Sequence, residues 1–335
     1  MVYCLGYRLQ TQKDENQMTD QKTIFANRTA APFLALLTAF VWGAAYPFIK
    51  LGLARFAIDN ADTGAKTLFA GIRFSAAGLV VLIMWYLSVV RKEAAGNIRK
   101  AAGVVSSGVF SNALWLFLFA LVNTALHYFC FYIGLSYSSG SRASVLNSLG
   151  TFLLVLLSCA VFREEHLTGS RILGCIVGFS GLLLLNLSGG DSGAFTLLGD
   201  GMIIGNALCS AFGGILTRIV GRKMNALFMT GAGLLIGGLL LIAGGLALGG
   251  RITEVTPVGL LDLGVLVSIS VIGFSVYNEL LQYHPVGKIA IFSSLIPVFG
   301  IILSCLLLGE PFLLKYIAAA ALVSAGVYII NRGKT

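Results

Sequence analysis

Polar side chains inside long apolar runs are the residues of this sequence best placed to do chemistry. His127 lies four residues after Asn123 (127 − 123 = 4), so a helix would place both on one face. Arg73 lies in another apolar run, and its guanidinium could bind a carboxylate. Ionisable groups at membrane depth cost about 2.5 kcal/mol or more, so they face the protein interior or water. We interpret all three as candidates for a solute-binding cavity. Helix-to-helix hydrogen bonding or proton carriage is the alternative role for His127, and headgroup contact is the alternative for Arg73.

Two aromatic residues share one face of the first apolar run. Trp42 and Tyr46 are four residues apart (46 − 42 = 4), near the middle of the run. Such a stripe can pack against other helices or face lipid, but its central position favours the interior of a helix bundle. We therefore add both residues to the candidate cavity.

A stretch of 30 residues occurs twice. Residues 135–164 align without a gap with residues 281–310, at a constant offset (281 − 135 = 146; 310 − 164 = 146). The rare pair Ser158-Cys159 matches Ser304-Cys305, and the closing Glu164 matches Glu310. Because apolar helices would not share such polar positions by chance, the chain contains an internal duplication.

The duplication pairs two polar sites within the apolar runs. Asn147 and Ser148 align with Ser293 and Ser294, and Pro297 follows the second pair. If the two copies were inverted, these four residues would approach one another near the centre of the molecule. A helix proline frees a carbonyl group, which a membrane tolerates only beside a cavity or another helix. We predict that these four residues line the cavity.

The composition indicates an all-α integral membrane protein. The chain has 335 residues, is 57% hydrophobic and 11% charged, and has a mean hydropathy of +0.89. Soluble domains carry about 25% charged residues. The apolar runs are continuous, whereas β-barrel strands alternate in polarity. Ten segments approach the ~20 residues that cross a bilayer: 33–54, 67–90, 110–134, 142–162, 168–187, 197–219, 226–248, 260–281, 287–308 and 313–331.

Lysine and arginine predict the orientation of these spans. With both termini in the cytoplasm, the inside ends and loops hold 16 basic residues and the outside ones hold 7. The two repeats are residues 33–187 and 197–331, and each has five spans. Because five is an odd number, the second repeat enters the membrane from the opposite side. We predict two inverted five-helix repeats with a substrate site between them near the midplane. A polar N-terminal tail, 1–31, precedes them, and Met18 within it is an alternative start.

Several classes of function lack support in the sequence. The six cysteines form no C-x-x-C pair, and Glu164-Glu165-His166 lacks the second histidine of a zinc motif, so no metal or cofactor is predicted. There is no Walker-type phosphate loop, which argues against ATP as the direct energy source. The net charge of +9 comes from residues between the apolar runs, which favours a role in orientation over nucleic-acid binding. No catalytic set is evident, so we do not expect an enzyme.

The chain resembles the EamA family of the drug/metabolite transporter superfamily from about residue 33 to residue 331. The resemblance rests on Trp42-Gly43 followed by Lys50, on Arg73, on the repeated closing glutamate, and on Pro297 in the second copy. Further matching glycines are Gly174, Gly178, Gly181 and Gly326. The sequence departs from the pattern at Thr151, where the first copy lacks the proline, and at Ser210, where the second copy lacks the tryptophan.

The resemblance implies a secondary transporter that exports amino acids or related small metabolites across the plasma membrane by alternating access. A sugar-phosphate or nucleotide-sugar exchanger, an intramembrane enzyme and a channel remain alternatives. The partners expected are a small-molecule substrate and the lipid bilayer, with proton coupling left open. We assign Glu164, Glu310 and Pro297 structural roles at helix ends. Each glutamate is expected to accept hydrogen bonds from the start of the helix that follows it.

Overall fold

The structure is a computed structural model that describes residues 24–87, 112–162, 167–187, 195–221, 223–284, 289 and 292–332. Within these ranges the regular structure is helical throughout, with no strand. We label the helical segments in chain order as α1 Ala30–Arg55, α2 Thr63–Trp85, α3 Ala113–Ser136, α4 Gly140–Val161, α5 Gly169–Leu187, α6 Leu197–Gly221, α7 Ala226–Ala247, α8 Pro257–Tyr283, α9 Ile296–Leu308 and α10 Leu314–Arg332. Two of them change character along their length: α3 contains a π-helical turn at Leu121–Leu126, and α4 is interrupted at Ser148.

The chain is a multi-pass membrane protein by helix length and composition. Seven described helices, α1 to α4 and α6 to α8, are long and apolar enough to cross a bilayer. The shorter apolar helices include α9 and the part of α10 from Leu314 to Ile330. The all-helical membrane fold is therefore confirmed, whereas the number of ten spans stays a prediction.

A side-chain cap determines where α2 begins and therefore how far along the helix Arg73 lies. The Asp62 carboxylate accepts a hydrogen bond of 2.7 Å from the Ala65 amide, so the helix begins at Thr63 and not at the predicted residue 67. Arg73 is consequently ten residues into the helix (73 − 63 = 10), about 15 Å along its axis. Since the apolar core of a bilayer is about 30 Å thick, Arg73 lies near the middle of the span and not toward one side.

Glycine pairs bring α2 and α7 into direct backbone contact. A Cβ atom on Gly71 would lie 2.8 Å from the Gly238 carbonyl oxygen and 2.6 Å from the Ile242 nitrogen. Likewise, a Cβ atom on Gly245 would lie 2.9 Å from the Gly64 carbonyl oxygen. Only residues without a side chain allow such close packing between helices in lipid. The partner numbers fall along α7 as they rise along α2, so the two helices are antiparallel.

Two other helix pairs follow the same antiparallel arrangement. A Cβ atom on Gly174 of α5 would lie 2.5 Å from the Gly326 carbonyl oxygen of α10, and the reverse distance is also 2.5 Å. In the third pair, a Cβ atom on Gly300 of α9 would lie 2.7 Å from the Ser144 Cβ of α4. Helices at matching positions of the two predicted repeats therefore pack side by side with opposite directions.

Candidate functional site

A continuous set of aromatic rings joins α1, α3 and α8 in the interior. The Trp42 ring lies 5.7 Å from the Phe274 ring and 5.0 Å from the Tyr277 ring, measured between centroids. Tyr128 links α3 to this group, because its ring is 6.4 Å from Phe274 and 6.1 Å from Phe131. We call these rings the aromatic centre; it consists of Trp42, Tyr46, Tyr128, Phe131, Phe274 and Tyr277.

The two aromatic residues predicted from the sequence both belong to this centre. Tyr46 is buried at 2% exposure, and its ring lies 5.3 Å from Phe131. Trp42 occupies space that Gly273 leaves open, since a Cβ atom there would lie 2.5 Å from the Trp42 Nε1. Packing of this kind fixes both rings in the bundle interior and not at the lipid surface.

Asn147 connects the aromatic centre to a buried asparagine of α6. The Asn147 side-chain oxygen accepts a short hydrogen bond from the Asn206 amide, and the Tyr46 hydroxyl also interacts with the Asn147 side chain. Asn206 is fully buried, and its own side-chain oxygen has no hydrogen-bond partner among the described residues. A buried acceptor without a donor costs free energy unless a ligand or water satisfies it. This part of the site is therefore able to accept a hydrogen bond.

Arg73 lies beside the aromatic centre with two of its nitrogens held in place. Its Nε donates to the Leu266 carbonyl oxygen at 3.1 Å and to the Ser270 Oγ at 3.0 Å, and its Nη1 donates to the Tyr132 hydroxyl at 3.0 Å. The guanidinium also lies over the Phe74 ring, 4.8 Å from its centroid. With 2% exposure, Arg73 is a buried cation near the middle of its helix and not a residue that reaches the headgroups.

The π-helical turn of α3 positions Asn123 and His127. Asn123 packs on α6, where a Cβ atom on Gly213 would lie 3.1 Å from its Cγ. The His127 ring lies 4.4 Å from the Tyr128 ring, and its buried Nδ1 has no hydrogen-bond partner among the described residues. Isolated π-helical turns occur frequently at functional sites. A role for either residue in substrate binding or proton transfer stays a prediction.

The convergence of Asn147 and Ser148 with Ser293 and Ser294 stays a prediction. Ser148 bonds back to the Ser144 carbonyl oxygen at 3.4 Å, and Ser293 interacts with the Tyr277 hydroxyl. The Ser294 carbonyl oxygen accepts from the Ser324 Oγ at 3.1 Å. Ser144 of α4 and Gly300 of α9 form the close contact between these two helices. Asn147 and Ser293 each contact the aromatic centre, through Tyr46 and Tyr277 respectively.

Three ion pairs lie at one end of the bundle. Arg142 of α4 binds Asp200 of α6 in a bidentate pair, with Nε to Oδ1 at 2.7 Å and Nη2 to Oδ2 at 3.0 Å. Arg55 makes a short contact with Asp262, which is 1% exposed. Lys50 lies 3.8 Å from Glu310. We call these three pairs the ion-paired end.

Glu310 also caps a helix, but not the one expected. Its carboxylate accepts from the Gly140 amide at 2.7 Å, from the Ser141 amide at 3.0 Å and from the Ser141 Oγ at 2.8 Å. These donors begin α4, whereas the sequence analysis expected donors at the start of the following helix. The negative charge is stabilised at a helix N-terminus as predicted. Glu164, the residue that matches Glu310 in the first copy, lies outside the described residues.

Pro297 occupies the first turn of α9, where a missing amide hydrogen costs nothing.

Several residues of the site were not identified from the sequence. Asn206 lies within an apolar run, and the criterion that selected Asn123 would also have selected it. Ser270 and Tyr132 carry no comparable signal, because serine and tyrosine are common in membrane helices. Asp200 and Asp262 occur near predicted helix ends, where a charged residue requires no partner. Among the described residues, no group of histidine, cysteine, aspartate and glutamate could hold a metal ion.

Many secondary transporters are built from internal repeats with the substrate site between them near the bilayer midplane. The sequence model of the EamA-like transporter family matches residues 29–187 and 197–332. The chain belongs to this family. Its relatives indicate a transporter and not an enzyme.

Individual relatives cover nearly the whole chain. The uncharacterized transporter YvbV of Bacillus subtilis (strain 168) is 25% identical over 89% of this chain and 91% of its own length. A protein of Escherichia coli (strain K12) named "Probable amino-acid metabolite efflux pump" is 24% identical over 88% of this chain and 93% of its own. A crystal structure at 15% identity has a TM-score of 0.61 and covers 88% of this chain and 95% of that one, which supports the fold.

Proposed function

We propose that this protein is a secondary transporter that exports amino acids or related small metabolites across the plasma membrane by alternating access. The observation that carries the proposal is the position of the ion pairs. All three link a residue before position 187 with a residue after position 197, so each joins one predicted repeat to the other. In this arrangement the ion-paired end is a closed gate, and transport requires these pairs to separate.

The aromatic centre is the proposed binding site of the cargo. It lies among α1, α3 and α8, and it reaches α4 and α6 through Tyr46, Asn147 and Asn206. Helices of both predicted repeats therefore contact the site, as alternating access requires. Apolar rings would hold the body of a small metabolite, while Arg73 and the asparagines would orient its polar groups.

We also propose that the ion-paired end faces the outside of the cell and that both chain termini are cytoplasmic. The ratio of 16 to 7 basic residues supports this orientation. The efflux activity in the name of the Escherichia coli relative supports export.

Counterflow in proteoliposomes tests the proposal. Vesicles with wild-type protein are loaded with an unlabelled solute, and the uptake of the same labelled solute is followed for leucine, phenylalanine, 4-methyl-2-oxopentanoate and phenylpyruvate. We expect transient accumulation of at least one solute above the level in protein-free vesicles. Labelled solute that enters without trans-stimulation would indicate a channel, and its chemical conversion would indicate an enzyme. Either result, or no uptake of any related metabolite, would overturn the proposal.

A further inference from the structure

Arg73 carries a buried positive charge that no described carboxylate neutralises. The described residues include seven of the chain's 14 acidic residues, namely Asp59, Asp62, Asp200, Glu254, Asp262, Glu279 and Glu310. None of these seven is paired with Arg73, whose described partners are a carbonyl oxygen, two hydroxyl groups and an aromatic ring. The charge is hydrogen-bonded but is not balanced by a negative charge from the described part of the chain.

The acidic residues of α8 are poorly placed to supply that negative charge. Asp262 lies eight residues before Ser270 (270 − 262 = 8), about 12 Å along the axis, and it is already paired with Arg55. Glu279 lies nine residues after Ser270 (279 − 270 = 9), about 13.5 Å in the other direction. Both residues therefore lie more than two helical turns along α8 from Ser270, the α8 side chain that accepts from the guanidinium.

The hydrogen bonds of Arg73 leave one edge of the guanidinium for a ligand. Nε and Nη1 are engaged by Leu266, Ser270 and Tyr132, and no described acceptor pairs with Nη2. Two neutral hydroxyl groups fix the plane of the guanidinium without neutralising it. A fixed guanidinium with a free edge suits a planar carboxylate, which it can bind through charge-assisted hydrogen bonds.

The net charge around Arg73 determines which solutes with a carboxylate bind there most favourably. Counting the charges of the described residues, a monoanion bound at Arg73 makes the buried site neutral. A zwitterionic amino acid leaves a net positive charge in the middle of the membrane, where an unbalanced charge costs several kcal/mol. We propose that the preferred cargo is a monocarboxylate with an apolar or aromatic body and no ammonium group, such as a 2-oxo or 2-hydroxy acid.

Each part of the site then has a distinct task. Arg73 holds the carboxylate, and Tyr132 and Ser270 position Arg73 without touching the cargo. The aromatic centre contacts the apolar body by ring packing. The free oxygen of Asn206 accepts a hydrogen bond from a hydroxyl group of the cargo or from water.

The inference rests on the proposed transport function, and matched ligands test it on the wild-type protein. Phenylpyruvate, phenyllactate, phenylalanine and phenethylamine share one ring and differ in the polar end. We expect the two monoanions to raise the thermal unfolding temperature in detergent at concentrations about tenfold lower than phenylalanine requires, and phenethylamine to have no effect. The same order is expected in counterflow. Equal or stronger effects of phenylalanine would overturn the inference while leaving transport established.

Variants of Arg73 separate ligand binding from folding. Arg73→Gln removes the charge and should weaken the effect of phenylpyruvate about tenfold to a hundredfold, the range of one or two charge-assisted hydrogen bonds. Arg73→Lys keeps the charge and should recover part of that loss. If neither variant changes the response to phenylpyruvate in protein that still elutes as a single species, the carboxylate does not bind at Arg73. Absence of counterflow with every solute would instead refute the transport proposal.

Discussion

The ion-paired end and the aromatic centre each contain or adjoin a buried arginine, but the partners of the two arginines differ in charge. At the ion-paired end, Arg142 faces Asp200 in a bidentate pair, and the side chains are 6% and 4% exposed. Beside the aromatic centre, Arg73 is equally buried, but its described partners are neutral. The first arrangement is complete within the protein and joins two helices, whereas we propose that a ligand completes the second. In our proposal the first region holds the gate closed and the second binds cargo.

The largest effect on stability is expected from Arg142→Gln. This change leaves the Asp200 carboxylate buried without its cation, which costs about 3–5 kcal/mol. Arg73→Gln leaves no described carboxylate without its cation, so its loss of unfolding free energy should be less than half that of Arg142→Gln. Thermal unfolding in detergent compares the two variants. The double variant Arg142→Gln with Asp200→Asn should recover most of the loss, and equal destabilisation by Arg73→Gln would remove the distinction between the two sites.

Glu310→Gln should have the next largest effect. The carboxylate accepts three hydrogen bonds at the start of α4 and lies near Lys50, and charged hydrogen bonds contribute about 1.5–3 kcal/mol each. The amide keeps part of this network, so we expect a loss of about 2 kcal/mol. The matched control is Glu254→Gln, which removes an exposed carboxylate between α7 and α8. A similar shift in unfolding temperature for both variants would show that Glu310 does not stabilise the ion-paired end.

Asn147→Leu is expected to separate stability from transport at the aromatic centre. It leaves the buried amide of Asn206 without its partner, at a cost of about 1–3 kcal/mol. Because two apolar partners can replace a hydrogen-bonded pair at little cost, Asn147→Leu with Asn206→Leu should regain stability. Counterflow should stay reduced in the double variant. Full recovery of both properties would assign the asparagines a structural role only.

The smallest effect is expected from Lys50→Gln. The Lys50 and Glu310 side chains are separated by 3.8 Å and are 27% and 12% exposed. A partly solvated pair at this distance contributes about 0–1 kcal/mol. Unfolding should therefore change little, and its shift should be smaller than that of Glu310→Gln. A larger shift for Lys50→Gln would mean that the ion pair, and not the helix cap, stabilises this end.

The sequence predicted the class of fold because membrane helices require long apolar runs. It also predicted that Tyr46, Trp42 and Arg73 face the interior, where the structure places them, and their role in binding stays a prediction. Helix starts were harder, because the Asp62 cap that moves Arg73 to mid-membrane depends on one side chain. The asparagine pair required knowledge that α4 and α6 touch. That contact depends on Gly150, where a Cβ atom would lie 3.0 Å from the Ala207 carbonyl oxygen.

Helix contacts also show why the sequence could not determine which polar residues of α4 and α9 meet. The repeat alignment identified equivalent polar residues in α4 and α9, but equivalence does not determine the level at which two helices cross. In the structure the close contact occurs between Ser144 and Gly300, and Gly140 lies against Ser304. Asn147 and Ser293 contact different tyrosines of the aromatic centre, Tyr46 and Tyr277.

Cross-linking of α4 to α9 tests most directly whether the two repeats separate at the ion-paired end during transport. A Cβ atom on Gly140 would lie 3.3 Å from the Ser304 Cβ, close to the separation of about 3.5–4.5 Å in a disulfide. The measurement is counterflow by Gly140→Cys with Ser304→Cys, in a chain whose six native cysteines are replaced, using the labelled solute that the wild type exchanges fastest. The single variant Gly140→Cys is the control. Alternating access predicts that oxidation stops exchange and that a reductant restores it. Full exchange by the oxidised, cross-linked protein would show that this end does not open.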